Sequence, residues 1–214
     1  MSMKVGILDY GVGNIRSVFN AVAKVGADPV MLSDPKLVDD YSHIIAPGVG
    51  SFGYVVERFT EQGFMEVVNR YLERDRYYLG ICVGMQMLFD GSEESPHING
   101  LGVLHGGVEK MKTTNSQSDY PLKLPFIGWS NLQINPGQSD NVLLQGFDPD
   151  ARFYFVHSYS AVPTSGDQLI ANTVYGDNKI ASLVGKDNVF GTQFHPERSG
   201  ESGLKLLANF CQQR

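Results

Sequence analysis

The sequence predicts an α/β fold: a doubly wound, mostly parallel sheet flanked by helices, with an antiparallel strand extension. Three observations lead there. The first half alternates apolar strand-like runs with helix-period segments in the order βαβαβα, which argues for parallel strands joined by crossover helices. The second half becomes a succession of short strand candidates, including the hairpin signal Gly185-Lys186-Asp187-Asn188. The 214 residues are 42% hydrophobic and 19% charged, enough to build a substantial core, expected as one domain over residues 1–214.

Residues 4–9 read as a buried strand. Tyr10-Gly11-Val12-Gly13-Asn14 is a turn that places Asn14 to cap the next helix. Val18, Ala21, Val22 and Val25 share one face of that helix, and Gly26 ends it. Residues 29–32 and 43–46 are short strands, the second running into Pro47-Gly48-Val49-Gly50. Helical stretches are expected around 55–58 and 65–73, then an apolar strand over 77–81 and a helix over 84–89. Strands follow at 103–111, 126–134, 152–159, 169–175, 180–184 and 189–194. A last helix covers Gly203 to about Cys211, with Leu204, Leu207 and Ala208 on one face. The polar run from Thr113 to Asp119 reads as a flexible loop.

Composition narrows the function before any motif does. The net charge is −6 with no basic stripe, which argues against a nucleic-acid binder. Two cysteines, Cys82 and Cys211, are too few for a disulfide framework. No apolar run approaches the ~18 residues of a membrane span. No charged leader, long apolar stretch and cleavage site follow one another at the start. A cytoplasmic chain without membrane contact is expected. The five histidines and two cysteines show no ligand spacing, so no metal is expected.

Gly80-Ile81-Cys82-Val83-Gly84 puts a cysteine between a strand and a helix, with glycines two residues away on each side. This is the thiol version of a nucleophile elbow. It presents the sulfur at the carboxyl edge of the sheet, sets it at a helix N-terminus whose partial positive charge favours thiolate, and aims the Val83 N–H where an oxyanion would form. A thiol nucleophile needs a base, and the base needs a third group to fix its tautomer. Gln193-Phe194-His195-Pro196-Glu197 supplies both, with Glu197 two residues from His195 and Pro196 stiffening the turn. His157, within Tyr154-Phe155-Val156-His157-Ser158-Tyr159, is a rival base that spacing does not exclude. His43 reads as a structural strand residue, and His97 and His105 as surface residues. Cys211, late in an amphipathic helix, reads as a buried structural thiol.

Ala46-Pro47-Gly48-Val49-Gly50-Ser51-Phe52-Gly53 allows close backbone approach to a substrate. It lacks the Lys-Ser/Thr that completes a P-loop, and Gly11-x-Gly13 lacks the third glycine of a dinucleotide fingerprint. The better reading is a second oxyanion donor facing Cys82.

Together these stretches resemble the class I (triad) glutamine amidotransferases, on Gly80-Ile81-Cys82-Val83-Gly84-Met85-Gln86 and Gln193-Phe194-His195-Pro196-Glu197. The resemblance implies a flavodoxin-like fold and a cofactor-free glutaminase. Cys82 attacks the side-chain amide of glutamine, His195 with Glu197 moves protons, a glutamyl thioester forms, ammonia leaves and water releases glutamate. Gln86 and Glu94 match positions that hold the amino-acid end of glutamine. Backbone groups of Ser158 and Tyr159 match the carboxylate contact, which leaves His157 a structural or positioning role. Val49 or Gly50, after a peptide flip, would supply one oxyanion amide and Val83 another. Asp9–Asn14, Pro47–Gly53, Ile127-Gly128-Trp129 and Tyr154–Tyr159 resemble the branch that serves histidine biosynthesis as a heterodimer with a (β/α)8-barrel synthase subunit. Asn14, Trp129 and Arg198 match the face that docks on that barrel.

The chain departs from that branch at Pro125-Phe126-Ile127-Gly128-Trp129, where a Pro-His pair is usual, and its 113–119 loop is long. Two alternatives therefore stand beside it. One is a paralogous glutaminase whose barrel partner amidates a nucleotide-linked sugar for surface polysaccharide. The other is a stand-alone cysteine hydrolase, against which Gln86, Glu94 and the His195-Pro196-Glu197 order argue.

Overall fold

The computed structural model describes residues 3–213; Met1, Ser2 and Arg214, which the expected domain and N-terminal reading include, lie outside the described residues. The chain runs β1 (Lys4–Leu8), α1 (Ile15–Lys24), β2 (Asp28–Leu32), β3 (His43–Gly48), α2 (Phe52–Glu61), α3 (Phe64–Leu72), β4 (Tyr77–Cys82) and α4 (Val83–Gln86). It continues through β5 (Gly91–Ser92), β6 (Gly106–Lys110), β7 (Phe126–Asn131), β8 (Gln133–Ile134), β9 (Arg152–His157) and β10 (Tyr159–Pro163). The last elements are β11 (Leu169–Tyr175), β12 (Asn178–Lys186), β13 (Val189–Thr192) and α5 (Gly200–Cys211). None of these helices is long and apolar enough to cross a membrane.

Eight strands form one sheet in the order β2-β1-β3-β4-β13-β12-β11-β8. The first five lie parallel and the last three run antiparallel, so the mixed α/β sheet flanked by helices is present. β3 and β4 sit in the middle and are buried on both faces apart from partly exposed Tyr77, which suits their unbroken apolar runs. β2 is an edge strand and tolerates Pro29. α1 buries Val18, Ala21 and Val22 and packs on α5, while α2 packs on α3 and α4. Gly26 ends α1 with φ +87°, a left-handed conformation glycine adopts without strain.

Several expected elements are redrawn. Asn14 occupies the N-cap of α1, but its side chain makes no capping bond; its carbonyl takes the Ser17 and Val18 N–H groups instead. The expected helix over 84–89 is a single turn. The carbonyls of Met87, Leu88 and Phe89 accept from the N–H groups of residues 101–104, which pulls the chain out of helix. The same bonds confine the expected strand over 103–111 to β6. The single strand expected over 126–134 breaks into β7 and β8, and that over 152–159 breaks at Ser158 into β9 and β10. β7 pairs with β9, β10 with β6, and β8 joins the large sheet, so the antiparallel extension is spread over three sheets. The 113–119 loop is irregular and mostly exposed, and Ser116 anchors it through N–H and Oγ bonds of 2.9 and 2.7 Å to Asp177.

Candidate active site

Strand register gathers the candidate residues. Gly48 pairs with Cys82 at the carboxyl ends of β3 and β4, and Thr192 pairs with Ile81 at the end of β13. The segments that follow, from Val49, from Val83 and from Gln193, therefore emerge side by side. In doubly wound sheets this edge is where ligands bind.

Cys82 turns the chain with φ +56° and ψ −112°, a strained conformation for a residue with a Cβ. Its flanking glycines are a packing necessity. A Cβ on Gly80 would lie 2.3 Å from Gly84 O, and one on Gly84 would lie 1.9 Å from Ala46 O. The sharp turn therefore exists only where both positions lack a side chain. Because α4 is one turn long, few peptide dipoles add up behind the sulfur, so the expected thiolate stabilisation by a helix terminus is weak.

His195 opens a 3-10 turn over Pro196–Arg198, and its Nδ1 lies 2.9 Å from Glu197 Oε1. Both side chains are buried, at 5% and 1% exposure. Ser199 locks the turn: its Oγ donates to His195 O at 2.6 Å and accepts from Tyr154 N–H at 3.0 Å. The other ring nitrogen, Nε2, is buried with no partner in hydrogen-bond geometry. The Cys82 sulfur is a polar neighbour of the ring and acts on its charge. Burial opposes protonation of His195, but the neighbouring Cys82 and Glu197 outweigh it and push the imidazole up to about 10. A charged imidazolium beside a sulfur is the arrangement that favours thiolate.

One cavity of about 300 Å³ is lined by Val49, Gly50, Cys82, Val83, Gln86, Glu94, Ser158, Tyr159 and His195. The structure thus brings together the two candidate reacting groups, the three candidate oxyanion residues and the four candidate substrate contacts, with Glu197 behind His195. Pro125, Val156 and His157 complete the lining. Pro125 and Val156 lie in stretches the sequence singles out but carried no site role of their own. His157 Nδ1 donates to Tyr159 O, 2.9 Å away; a carbonyl only accepts, so Nδ1 carries the proton. Burial first, and the neighbouring His195 second, hold His157 down to about 4 despite that bond. A carboxylate partner on His195 and a backbone carbonyl partner on His157 set the two rival bases apart.

Glu94 reaches the loop wall of the cavity from across the chain. Its Oε2 accepts from Phe52 N–H at 2.7 Å, and Ser95 Oγ accepts from Gly53 N–H at 3.1 Å. These bonds cap α2, whose own N-cap residue Ser51 contributes no side-chain bond. Gln86 Nε2 is held by Tyr159 O at 3.2 Å and Gln193 Oε1 at 3.0 Å.

Asn14, Trp129 and Arg198 are exposed. Tyr154 joins the last two: the Arg198 guanidinium lies 4.7 Å over its ring, and Trp129 meets it edge-on at 5.8 Å. Tyr154 in turn is 6.4 Å from the His195 ring, so this exposed cluster borders the cavity. α1, which Asn14 precedes, packs against the Pro196–Arg198 turn. Phe126 points inward, stacked on Tyr175 at 4.3 Å and Phe155 at 5.5 Å, so the departure at this position serves packing. His43 stacks on Tyr77 at 4.5 Å inside the fold, while His97 and His105 are exposed.

The family model for Glutamine amidotransferase class-I matches residues 6–213, and the chain belongs to that family. It is 39% identical to the imidazole glycerol phosphate synthase subunit HisH of Synechocystis sp., over 96% of this chain and 94% of the relative. The subunit of the same name from Sulfurimonas denitrificans is 40% identical, over 98% of both chains. The imidazole glycerol phosphate synthase hisHF of Schizosaccharomyces pombe is 38% identical over 97% of this chain, which spans 38% of that longer relative. Among solved structures, one described as a glutamine amidotransferase superimposes with a TM-score of 0.71 at 20% identity, over 95% of this chain and 98% of that one. This last likeness is one of fold.

Proposed function

We propose that the chain is a single-domain glutaminase subunit that hydrolyses glutamine to glutamate and ammonia. The ammonia passes to a (β/α)8-barrel synthase subunit that makes imidazole glycerol phosphate and AICAR in histidine biosynthesis. The observation that carries the chemistry is the buried His195–Glu197 pair beside Cys82 in one cavity. The near-full-length identity to imidazole glycerol phosphate synthase subunits supports the pathway.

In this reading the Cys82 thiolate attacks the carboxamide carbon. The Val83 N–H and an amide of Val49 or Gly50 would receive the oxyanion. His195 gives its proton to the amide nitrogen, the C–N bond breaks, and ammonia leaves a glutamyl thioester. His195, now neutral, takes a proton from water; the hydroxyl adds to the thioester and the thiolate departs from glutamate. Glu197 holds the imidazole in one tautomer throughout. The carbonyls of Ser158 and Tyr159 are already taken by Met111 N–H and by Gln86 and His157, so N–H groups would hold the substrate carboxylate. Glu94 and Gln86 would set the amino-acid end.

Ammonium is not a nucleophile, so ammonia has to reach its acceptor without equilibrating with water. A docked partner meets that need, and the exposed Trp129 and Arg198 meet Tyr154 beside the His195 ring, while Asn14 precedes the helix packed on the Pro196–Arg198 turn. The fungal relatives, in which this region is 38% or 37% of a longer chain, also support a second module. Co-purification from the native host is expected to recover the barrel subunit. In that complex, Cys82→Ala is expected to abolish synthesis from glutamine and to leave synthesis from ammonium salts intact. Loss of both would assign Cys82 to structure or docking and overturn the reading.

A further inference from the structure

Gln193 follows the last residue of β13 and is fully buried. Its side chain bridges two groups of the cavity: Nε2 lies 3.7 Å from Cys82 Sγ, and Oε1 lies 3.0 Å from Gln86 Nε2. One contact settles the direction of both amides. The end of the Gln86 amide at Tyr159 O faces a carbonyl, which only accepts, so that end is the NH2 group. An NH2 only donates, so the Gln193 atom facing it is Oε1. The NH2 of Gln193 is therefore turned to the sulfur. The path from Tyr159 O through Gln86 and Gln193 to Cys82 is buried or half-buried at every residue.

An N–H aimed at sulfur stabilises thiolate more than thiol, because a hydrogen bond to a charged acceptor is roughly twice as strong as a neutral one. It also restricts the Sγ rotamer. The geometry points to Gln193 as a positioning residue for the nucleophile: its amide holds the Cys82 sulfur, favours the charged form, and ties it to the Gln86–Tyr159 side of the cavity. His195 is a second polar neighbour of the same sulfur. The catalytic meaning of this contact rests on the glutaminase reading; the contact itself does not.

The test uses the full chain, with Gln193→Met and Gln193→Glu beside the wild type. The rate of Cys82 alkylation by iodoacetamide is followed across pH. Mass spectrometry of the Cys82 peptide keeps Cys211 out of the signal, and thermal melts confirm folding. At pH 7 the rate is expected to fall about tenfold in Gln193→Met, the scale of one lost bond to a charged group. It falls further in Gln193→Glu, where a carboxylate faces the sulfur, and the pH of half-maximal rate moves up in the same order. Folded variants with the wild-type profile overturn the proposal, as does a larger effect in Gln193→Met than in Gln193→Glu. If Gln193→Glu does not melt cooperatively, Gln193→Met alone decides. The glutaminase reading fails separately: a partner-bound wild type that releases no glutamate from glutamine sinks it, whatever the alkylation profiles show.

Discussion

Two neighbouring walls of the cavity are built on different terms. On the Cys82 wall, backbone meets backbone: Gly84 sits where any Cβ would run into Ala46 O, and residues 81–89 are all buried. On the neighbouring wall, Val49 and Gly50 are exposed. A Cβ on Gly50 would meet Tyr54 and Val55 at 3.6 and 4.0 Å, ordinary contact distances, although its φ is +117°. That wall is held at its ends, by the Gly48–Cys82 pairing and by Glu94 on Phe52 N–H. The difference teaches where precision is needed. The backbone turn that carries the sulfur is fixed by contacts that cannot yield, whereas the loop proposed to offer the second oxyanion amide is tethered and otherwise open.

Gly84→Ala should break the closed wall outright. Two backbone segments would have to separate, so a loss above about 4 kcal/mol is expected, enough to remove cooperative unfolding in a urea titration. Gly50→Ala should sharpen the contrast. It has space but an unfavourable φ, and the expected loss is about 1–3 kcal/mol with the fold intact. Equal losses for the two variants would erase the distinction.

The smallest expected effect concerns two buried histidines, one beneath the loop and one in the cavity lining. His43 lies on β3 below the loop, and burial holds it down to about 4; His157 lies in the cavity lining and is also held at about 4. Both are neutral in the fold, while an unfolded chain begins to protonate them near 6.5. The unfolded state then binds more protons, so their contribution is present above about pH 6.5 and is lost as pH falls toward about 4. Each adds at most about 1.4 kcal/mol per pH unit. His195 has the opposite sign, its contribution fading as pH rises from 6.5 toward about 10. His43→Phe keeps the ring against Tyr77 and removes the titrating nitrogen. Its melting temperature is expected to fall less than the wild type's between pH 7 and pH 5, and an unchanged drop would assign the acid sensitivity elsewhere.

Legibility follows the same division. The elbow could be read because its cause is local: glycine, cysteine and glycine two apart, between an apolar run and a turn. His195 and Glu197 could be read together because two residues and a proline separate them. Gln193 stood in the same motif with no readable role, since the direction of its amide is set by Gln86 and Tyr159 elsewhere in the chain. Asn14 illustrates the converse: a residue of the right type at the right position makes no side-chain cap. The break at Ser158 was invisible because both of its flanks alternate as strands, and only pairing with β7 on one side and β6 on the other divides them.

The sequence by itself determined the alternation of strand and helix, the turn that carries Cys82 and the pairing of His195 with Glu197. Each depends on residues within a few positions of one another, where steric limits and side-chain reach act directly. Only the tertiary structure decided that positions 49, 82 and 195 share one cavity, that a single helical turn follows Cys82, and which way the Gln193 amide faces. Those outcomes depend on strand register and on hydrogen bonds between residues as many as 111 apart, and no local preference encodes them.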